Sequence, residues 1–362
     1  MSTEFYSLTI KKVDRLTKGS IAVDFFVPEK LREKFQYKQG QHLTLKADIN
    51  GEDIRRSYSL CRGVATQLLR VGIKTIKDGI FSNHANTQFK KGMILEVMPP
   101  QGHFYTELLA DANKHYLLVA VGSGITPILS HIESILNAEP NSQITLLYGN
   151  KRTPLMMFRE HLCFLKNQYL ERFQWLNFLT KEENDSVILN GRISAQKVID
   201  LDQSRMICIK NFSDIFICGP ENTTLEMAKA FESWGFDKSQ IHYELFFSGS
   251  AVKVAEKTKI KRAEKYGKKT SNISIKVAGR KILMELDMGG KNILDAAIEN
   301  GADLPFSCKA GVCATCKAKV IKGEVEMDFN HSLTEQEVDD GMILTCQSHP
   351  VSDDVEIDFD FS

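Results

Sequence analysis

The sequence of 362 residues has no run of about 18 apolar residues, so we expect no membrane-spanning helix. The segment Met1–Lys12 has no apolar signal-peptide core, and we expect a cytoplasmic protein with reduced thiols. The net charge is zero, which argues against a nucleic-acid partner. Repeats, low-complexity tracts, Ser-His-Asp sets and paired-carboxylate signatures are also missing. What remains is a globular chain of roughly two or three domains.

The charge is unevenly distributed along the chain. Residues 271–362 contain 8 Lys or Arg against 17 Asp or Glu, a net charge of −9 in a neutral protein. An acidic region of this kind could dock a basic protein partner, or it could simply be a solvated surface. The sequence leaves both interpretations open.

Cysteine spacing near the C-terminus is the most specific pattern in the sequence. Four cysteines follow C-x4-C-x2-C and then a long gap: Cys308, Cys313, Cys316 and Cys346. This spacing is typical of plant-type [2Fe–2S] ferredoxins. Small residues between the cysteines leave room for backbone N–H groups near cluster sulfurs: Ala310, Gly311, Ala314 and Thr315. We therefore predict these four cysteines as ligands of a [2Fe–2S] cluster.

Three other interpretations of these cysteines are weaker. A zinc site usually has two short C-x2-C pairs, and only one is present here. Structural disulfides suit small secreted domains rather than a chain of this length. Buried thiols are common, but not three within nine residues of a small-residue loop. The remaining cysteines are scattered and are expected to be reduced thiols: Cys61, Cys163, Cys208 and Cys218.

Hydrophobic periodicity divides the chain into regions. Residues 1–108 contain short alternating runs with turn signals at 38–40 and 50–51, which predict an antiparallel barrel. Residues 109–247 alternate strands with helices, which predicts a doubly wound parallel sheet. Residues 248–270 are rich in lysine and read as a solvated linker, with a nucleic-acid patch as the weaker alternative. Residues 271–362 form the cysteine-containing domain.

Two short motifs in the first region have the chemistry to bind a phosphorylated ligand. Arg56-Ser-Tyr-Ser59 offers a cation, a flat ring and a hydroxyl, and Gly79 and Ser82 after Lys74 lie where a helix begins. Each motif alone is weak, because an exposed Arg beside a cross-strand Tyr, or a plain turn before a helix, is the default interpretation.

The α/β region has its motifs at predicted strand ends. Gly122-Ser-Gly-Ile-Thr-Pro127 follows a buried strand and precedes a helix, where glycines permit close approach of a dinucleotide pyrophosphate. Cys218-Gly219 ends another strand at the same edge, although a buried structural Cys is the simpler interpretation. Lys151-Arg152 could hold a 2′-phosphate, but two exposed basic residues in a loop are also common.

Together these motifs resemble the ferredoxin–NADP reductase superfamily. Within it, the chain is similar to oxygenase reductases with a C-terminal plant-type ferredoxin domain, especially those serving the di-iron oxygenase of phenylacetate degradation. The likeness spans the chain apart from the linker and includes further segments: Gly40–Lys46, Leu95–Phe104, Tyr148–Asn150, Met156–Arg159, Ile241–Phe246 and Gly311–Lys317. The resemblance implies a flavin-binding β-barrel, a nucleotide domain and a β-grasp ferredoxin domain.

The resemblance also implies residue roles. Flavin would be held by Arg56, Tyr58, Ser59, Lys74, Gly79, Ser82 and Phe246. The nicotinamide nucleotide would be held by Gly122, Gly124, Thr126, Pro127, Arg152, Cys218 and Gly219. Residues at the reacting rings would be Ser59, Cys218 and Glu244. Implied cofactors are FAD, the [2Fe–2S] cluster and NADPH, with NADH possible.

The expected activity is electron transfer from NADPH through flavin and cluster to the oxygenase component of a multicomponent di-iron monooxygenase. A flavin can link a two-electron hydride donor to a one-electron cluster. The same architecture could serve another acceptor, such as a Rieske oxygenase or a hybrid-cluster protein. A passive electron carrier or nucleotide-binding module, and a zinc-containing scaffold, are the alternatives from other functional classes.

Overall fold

The computed structural model describes residues 4–246, 258, 262–267 and 269–361. The chain divides into two compact units. One comprises Tyr6–Ile54 and Tyr58–Phe246, and the other comprises Phe247–Ser362 with Met1–Phe5 and Arg55–Ser57. Among the described residues, no helix is long and apolar enough to cross a membrane.

The first sheet is antiparallel and curled. Its strands are β1 (Tyr6–Thr17), β2 (Ser20–Phe26), β3 (His42–Ile49), β4 (Glu52–Ser59), β5 (Arg70–Lys74) and β6 (Ile94–Gln101), in the order β4-β3-β6-β1-β2-β5. A bridge between Leu60 and Val71 brings the two edges together, so the sheet closes as the predicted barrel. Asn50 and Gly51 have positive φ angles of 58° and 84°, which confirms the turn predicted there.

The barrel core is filled by inward-facing apolar side chains. Leu8, Val23, Leu45 and Val71 have no exposed surface, as the alternating pattern requires. Helix α1 (Ile80–Gln88) covers one end and inserts Phe81 into this core.

The second sheet is fully parallel. Its strands are β7 (His115–Val121), β8 (Gln143–Asn150), β9 (Phe173–Leu179), β10 (Asp214–Gly219) and β11 (Ile241–Leu245), in the order β11-β10-β7-β8-β9. Its helices are α2 (Ile125–Ala138), α3 (Arg159–Gln168), α4 (Ala195–Gln203) and α5 (Glu221–Ser233).

Both faces of this sheet are covered by helices. Leu118 and Ala120 of β7 share a core with α2 and α3, whereas Leu117 and Val119 share a core with α4 and α5. Because successive side chains of a strand point to opposite faces, the two cores lie on the two sides of the sheet. The structure confirms the predicted doubly wound arrangement.

The C-terminal sheet has mixed pairing. Its strands are β12 (Thr270–Val277), β13 (Arg280–Asp287), β14 (Lys317–Lys322), β16 (Met342–Leu344) and β18 (Asp354–Asp358), in the order β13-β12-β18-β14-β16. Strands β15 (Val325–Met327) and β17 (Ser348–Pro350) form a separate antiparallel pair. The helices are α6 (Ile293–Glu299), N-capped by Asn292, and α7 (Glu335–Asp339), N-capped by Thr334. A sheet with a helix packed on it is the expected β-grasp.

The predicted linker, residues 248–270, lies mostly outside the described residues. Within it, residues 262–266 are helical and Arg262 is only 3% exposed. Arg262 therefore differs from the expectation of a solvated linker, because its charged group is buried in an ion pair with Asp328.

Candidate functional site

A glycine loop connects β7 to α2 at the carboxyl edge of the parallel sheet. Gly122 has a positive φ of 59°, and a Cβ on Gly124 would lie 2.0 Å from the carbonyl oxygen of Cys218. Only glycine fits this close approach between two strand ends. Thr126 Oγ1 donates to the Ser123 carbonyl at 3.0 Å, and Pro127 is buried in the first turn of α2. The loop thus presents backbone amides at a helix N-terminus, the geometry that binds phosphate.

Two lysines lie beside this loop. A Cβ on Gly122 would be 3.4 Å from Lys74 Nζ, which places the end of β5 next to the glycine turn. Burial, and then the charge of Lys151, lower the pKa of Lys74. An anionic group there would favour the charged form of Lys74, so the local electrostatics fit a nucleotide phosphate.

The three side chains predicted at the reacting rings converge. Ser59 Oγ, at the end of β4, donates to Glu244 Oε2 at 3.1 Å across 185 residues of sequence. Cys218 of β10 pairs in register with Glu244 of β11. Burial, and then the Glu244 carboxylate, raise the pKa of Cys218 well above its usual value, so this thiol is neutral at pH 7.

A buried histidine joins this group. His42 of β3 is 5% exposed, and its Nδ1 lies 3.9 Å from Glu244 Oε1. Burial, and then the charge of His103, lower the pKa of His42 to about 4, so the ring is neutral at pH 7. A Cβ on Gly102 would lie 3.0 Å from His42 Nδ1, so glycine leaves room for the ring.

In the predicted ligand motif Arg56–Ser59, the arginine is exposed and the tyrosine ring is half-buried. Arg56 is exposed, and its Nη1 donates to the Arg55 carbonyl at 2.7 Å. The Tyr58 ring is half-buried, with its centroid 5.7 Å from that of Phe81 at an interplanar angle of 38°. A phosphate and a flat ring system are the ligand parts that such side chains bind.

Helix α1 begins at Ile80, two residues before Ser82 and directly after Gly79. Ser82 is 4% exposed, and its Oγ accepts from Ile76 N at 3.2 Å. Ser82 therefore closes the turn at 76–79 and lies inside the first helical turn, whereas the sequence had placed it at the helix start. Because Gly79 has no side chain with which to cap the helix, the first amides of α1 suit a phosphate.

The predicted 2′-phosphate cations lie beside a carboxylate. Arg152 precedes the turn Thr153–Leu155 and is exposed. Glu182 accepts from Thr153 N at 2.9 Å and from Thr153 Oγ1 at 2.5 Å. These hydrogen bonds, helped by the charge of Arg152, lower the pKa of Glu182.

Two further predicted residues pack at the ends of β10 and β11. A Cβ on Gly219 would meet the Val121 Cβ at 2.9 Å, so glycine permits close packing of adjacent strand ends. Phe246 is half-buried and packs on the core shared with α2 and α3.

In the C-terminal unit, the four cysteine thiols lie as two pairs. The thiols of Cys308 and Cys313 lie close enough for Cys313 to raise the pKa of Cys308. In the same way the Cys316 thiol, and then burial, raise the pKa of Cys346. In the described part of the chain, no three His, Cys, Asp or Glu side chains are placed to hold one metal ion. Two separate pairs suit a cluster with two irons, each bound by two thiolates.

The backbone of the cysteine loop turns tightly. Lys309, Gly311 and Ala314 have positive φ angles of 52°, 72° and 53°. Ala310 N donates to Cys308 Sγ at 3.3 Å. Small residues in this loop thus allow an amide to reach a cysteine sulfur, the kind of contact expected around a cluster.

Comparison with known proteins follows the same division of the chain. Three family models match: an oxidoreductase FAD-binding domain over residues 7–105, an oxidoreductase NAD-binding domain over 118–232, and a 2Fe-2S iron-sulfur cluster binding domain over 275–351. A subunit of the 1,2-phenylacetyl-CoA epoxidase from Escherichia coli (strain K12) is 41% identical over 342 residues, 94% of each chain. The chain belongs to the oxygenase reductases with FAD-binding, NAD-binding and [2Fe–2S] domains.

A second relative and a solved structure extend the likeness. The ferredoxin reductase component of 3-ketosteroid-9-alpha-monooxygenase from Rhodococcus rhodochrous is 30% identical over 93% of this chain and 92% of its own. The structure of phthalate dioxygenase reductase aligns with a TM-score of 0.58 at 19% identity, covering 98% of each chain. At that identity the structural likeness shows the shared fold.

As an oxygenase reductase, the chain is an oxidoreductase that uses FAD, a pyridine nucleotide and a [2Fe–2S] cluster. Observations in each site fit these groups. The thiol pairs fit the cluster, the glycine loop beside Lys74 fits a nucleotide, and Tyr58 beside the α1 N-terminus fits a flavin with its phosphates.

Sequence reasoning missed two residues of this oxygenase reductase. His42 alternates with Leu43 and Leu45 of the barrel core, so the strand pattern places it on the opposite face and does not indicate the carboxylate that it meets. Gln347 follows Cys346, and its Nε2 lies 3.7 Å from Cys346 Sγ and donates to the Lys309 carbonyl at 3.2 Å. The sequence did contain a signal for Gln347, because this polar residue directly follows Cys346, one of the four predicted ligands.

Proposed function

We propose that this oxygenase reductase carries electrons from NADPH through FAD and its [2Fe–2S] cluster to the oxygenase component of a di-iron phenylacetyl-CoA epoxidase. Support comes chiefly from the 41% identity to the E. coli epoxidase component over 94% of each chain. We also infer a cytoplasmic location, where the thiols stay reduced and NADPH is available.

The bound flavin would supply the conversion of a two-electron hydride into single electrons. Ser59, Glu244 and Cys218 form the polar wall at the sheet edge where the two rings would meet. The Ser59 hydroxyl donates a hydrogen bond to the Glu244 carboxylate, which fixes the position of both side chains. The neutral Cys218 thiol adds no charge of its own beside the nicotinamide.

Flavin retention would be shared between the barrel and the last strand of the parallel sheet. Arg56 binds the pyrophosphate as a charge-assisted donor, and the Tyr58 ring packs on the ring system. The α1 amides after Gly79, in a turn closed by Ser82, bind phosphate oxygens. Phe246 limits the site at the end of β11.

Nucleotide binding would use the glycine loop and the two basic positions beside it. Gly122 and Gly124 admit the pyrophosphate to the α2 N-terminus, with Thr126 and Pro127 shaping the turn. Lys74 and Lys151 supply positive charge at this edge of the sheet. Arg152 would contact the 2′-phosphate of NADPH, while Glu182 holds the following turn through Thr153.

Nucleotide choice is tested by steady-state kinetics with both reductants. We expect kcat/KM to favour NADPH, and Arg152→Ala to reduce that preference without changing kcat/KM for NADH. A tenfold preference for NADH, about 1.4 kcal/mol, would overturn the NADPH assignment and leave the rest of the proposal intact.

The electron acceptor is tested by reconstitution. With NADPH as the reductant, the purified chain should support product formation by the oxygenase component of phenylacetyl-CoA epoxidase. The rate should saturate as the concentration of the chain increases. The 30% identity to the 3-ketosteroid-9-alpha-monooxygenase reductase component favours that oxygenase as the second acceptor to test. Efficient turnover with that oxygenase alone would overturn the proposed acceptor. The proposed path from NADPH through FAD and the cluster would still hold.

A further inference from the structure

A buried arginine lies in the segment that precedes the cysteine-containing sheet. Arg262 lies in the helical residues 262–266 and is 3% exposed. This helix packs directly on the turn after β13, because a Cβ on Gly289 would lie 3.0 Å from Ala263 Cα and 3.4 Å from the Arg262 carbonyl oxygen. The lysine-rich composition of the segment does not account for such burial.

Arg262 is part of a buried group of three side chains. Its Nη2 pairs with Asp328 Oδ1, and its Nη1 donates to Asp328 Oδ2 at 3.2 Å. His349 Nε2 lies 3.2 Å from the same Oδ2. The side chains of Arg262, Asp328 and His349 are 3%, 8% and 7% exposed. Protein groups rather than solvent therefore surround the Asp328 carboxylate. Removing one partner from a buried ion pair leaves an uncompensated charge, which is strongly unfavourable.

Asp328 supports a loop that braces the cysteine loop. The Asp328 N–H donates to the Gln347 carbonyl at 2.8 Å, one residue after Cys346. Next in sequence, the Phe329 carbonyl oxygen would be 2.8 Å from a Cβ on Gly311. The His331 N–H donates to the Gly311 carbonyl at 3.1 Å. Gly311 lies between Cys308 and Cys313, so the loop contacts the three-cysteine stretch.

Gln347 connects the loop that contains Asp328 to the fourth cysteine, Cys346. Its Nε2 donates to the Cys346 carbonyl at 2.9 Å and lies 3.7 Å from Cys346 Sγ. The loop 328–331 therefore contacts both sides of the thiol set, at Gly311 on one side and at Gln347 on the other. Polar groups that orient metal ligands set metal affinity and redox potential.

We propose that Arg262 is a positioning residue for the iron–sulfur cluster, acting through Asp328 on the backbone at Gly311 and on Gln347. The segment before the sheet is thus part of the cluster-binding unit. This inference rests on the assignment of the four cysteines as cluster ligands. Lysine is a poor substitute for Arg262, because a single ammonium group cannot reproduce the forked contact with both carboxylate oxygens.

The test uses the full-length holoprotein and a matched pair of variants, Arg262→Gln and Lys265→Gln. Lys265 lies in the same helical segment and pairs with Glu326 at 3.9 Å, but it is 64% exposed. In both variants we measure the EPR spectrum after dithionite reduction, the midpoint potential of the cluster, and the rate of iron release to a chelator. FAD content and the rate of flavin reduction by NADPH serve as internal controls.

We expect Arg262→Gln to release iron about tenfold faster, the lower limit for loss of a ligand-orienting group. Its EPR spectrum and potential should also change, with FAD content and flavin reduction unchanged. Arg262→Lys should fall between Arg262→Gln and wild type, and Lys265→Gln should match wild type. Wild-type iron release and EPR in Arg262→Gln would overturn the inference.

Two further outcomes keep the test decisive. Should Arg262→Gln not accumulate as folded protein, Asp328→Asn removes the ion pair while keeping the backbone N–H to Gln347. Faster iron release in Asp328→Asn supports the inference, and a wild-type rate overturns it. A wild-type protein without a [2Fe–2S] signal would instead contradict the cluster assignment itself, so the two failures are distinguishable.

Discussion

The cluster loop and the flavin–nucleotide site are built in different ways. Three of the four cysteines lie within nine residues, on a loop that small residues allow to turn tightly. The group formed by His42, Ser59, Cys218 and Glu244 instead joins four separate strands or strand ends. A local site depends on a few ligands, whereas an assembled site depends on the packing of two sheets. Loss of a cysteine should therefore act in an all-or-none manner at the first, whereas substitutions at the second should act gradually.

The largest expected effect is at the cluster. Cys313→Ser should abolish the [2Fe–2S] EPR signal completely, because one iron loses a thiolate. Flavin reduction by NADPH should continue, since no cysteine of the loop lies in the flavin–nucleotide unit. Iron content, EPR and stopped-flow flavin absorbance measure the two properties separately. Loss of flavin reduction in Cys313→Ser would contradict the independence of the two sites.

A graded loss is expected at the assembled site. Ser59→Ala removes the hydrogen bond to Glu244 and should slow hydride transfer about 100-fold, the size of effect that misplacement of reacting groups produces. Single-turnover reduction by NADPH measures this rate, and the cluster EPR signal should remain unchanged. A wild-type rate would remove Ser59 from the reacting group.

The stability provided by a contact between the barrel and the parallel-sheet region should depend on pH. Burial lowers the pKa of His131 to about 3, and its Nε2 donates to the Phe104 carbonyl at 2.9 Å. The unfolded chain binds a proton at this position below about pH 6.5 and the folded chain does not, so stability falls as pH decreases from 6.5 towards 3.

His131 alone should cost about 2 kcal/mol of unfolding free energy between pH 7 and pH 5. His131→Gln keeps a donor for Phe104 and should remove that share of the pH dependence. Urea unfolding at the two pH values provides the comparison. An unchanged slope against pH in the variant would contradict a buried neutral imidazole.

The smallest effect is expected at Arg56, the exposed side chain proposed to bind flavin. Arg56→Ala should weaken FAD binding by about 1.5 kcal/mol, the lower end of the range for a hydrogen bond to a charged group. Fluorescence titration of the apoprotein with FAD measures the change, and Lys11→Ala provides a control at an exposed cation on β1. Equal affinities of Arg56→Ala and wild type would exclude Arg56 from the site.

The difference between the two regions also explains what could be predicted from sequence. The cysteine spacing predicted the cluster because most of its ligands are local. In the region predicted to alternate strands with helices, strand His115–Val121 coincides with a nearly continuous apolar run, which is typical of a buried parallel strand.

Contacts between distant segments were not predictable in this way. Strand alternation places His42 on the face opposite to Leu43 and does not indicate its burial, which depends on how β11 meets the barrel. Arg262 was assigned to a solvated linker because lysine-rich composition dominated the pattern. Its burial depends on Asp328, 66 residues later.

Anaerobic titration of the purified protein with NADPH, followed by visible absorption and EPR, tests the electron path most directly. We expect bleaching of the flavin band at about 450 nm, followed by the signal of a reduced [2Fe–2S] cluster without any added mediator. Bleaching without a cluster signal in iron-replete protein would contradict the proposed path from flavin to cluster.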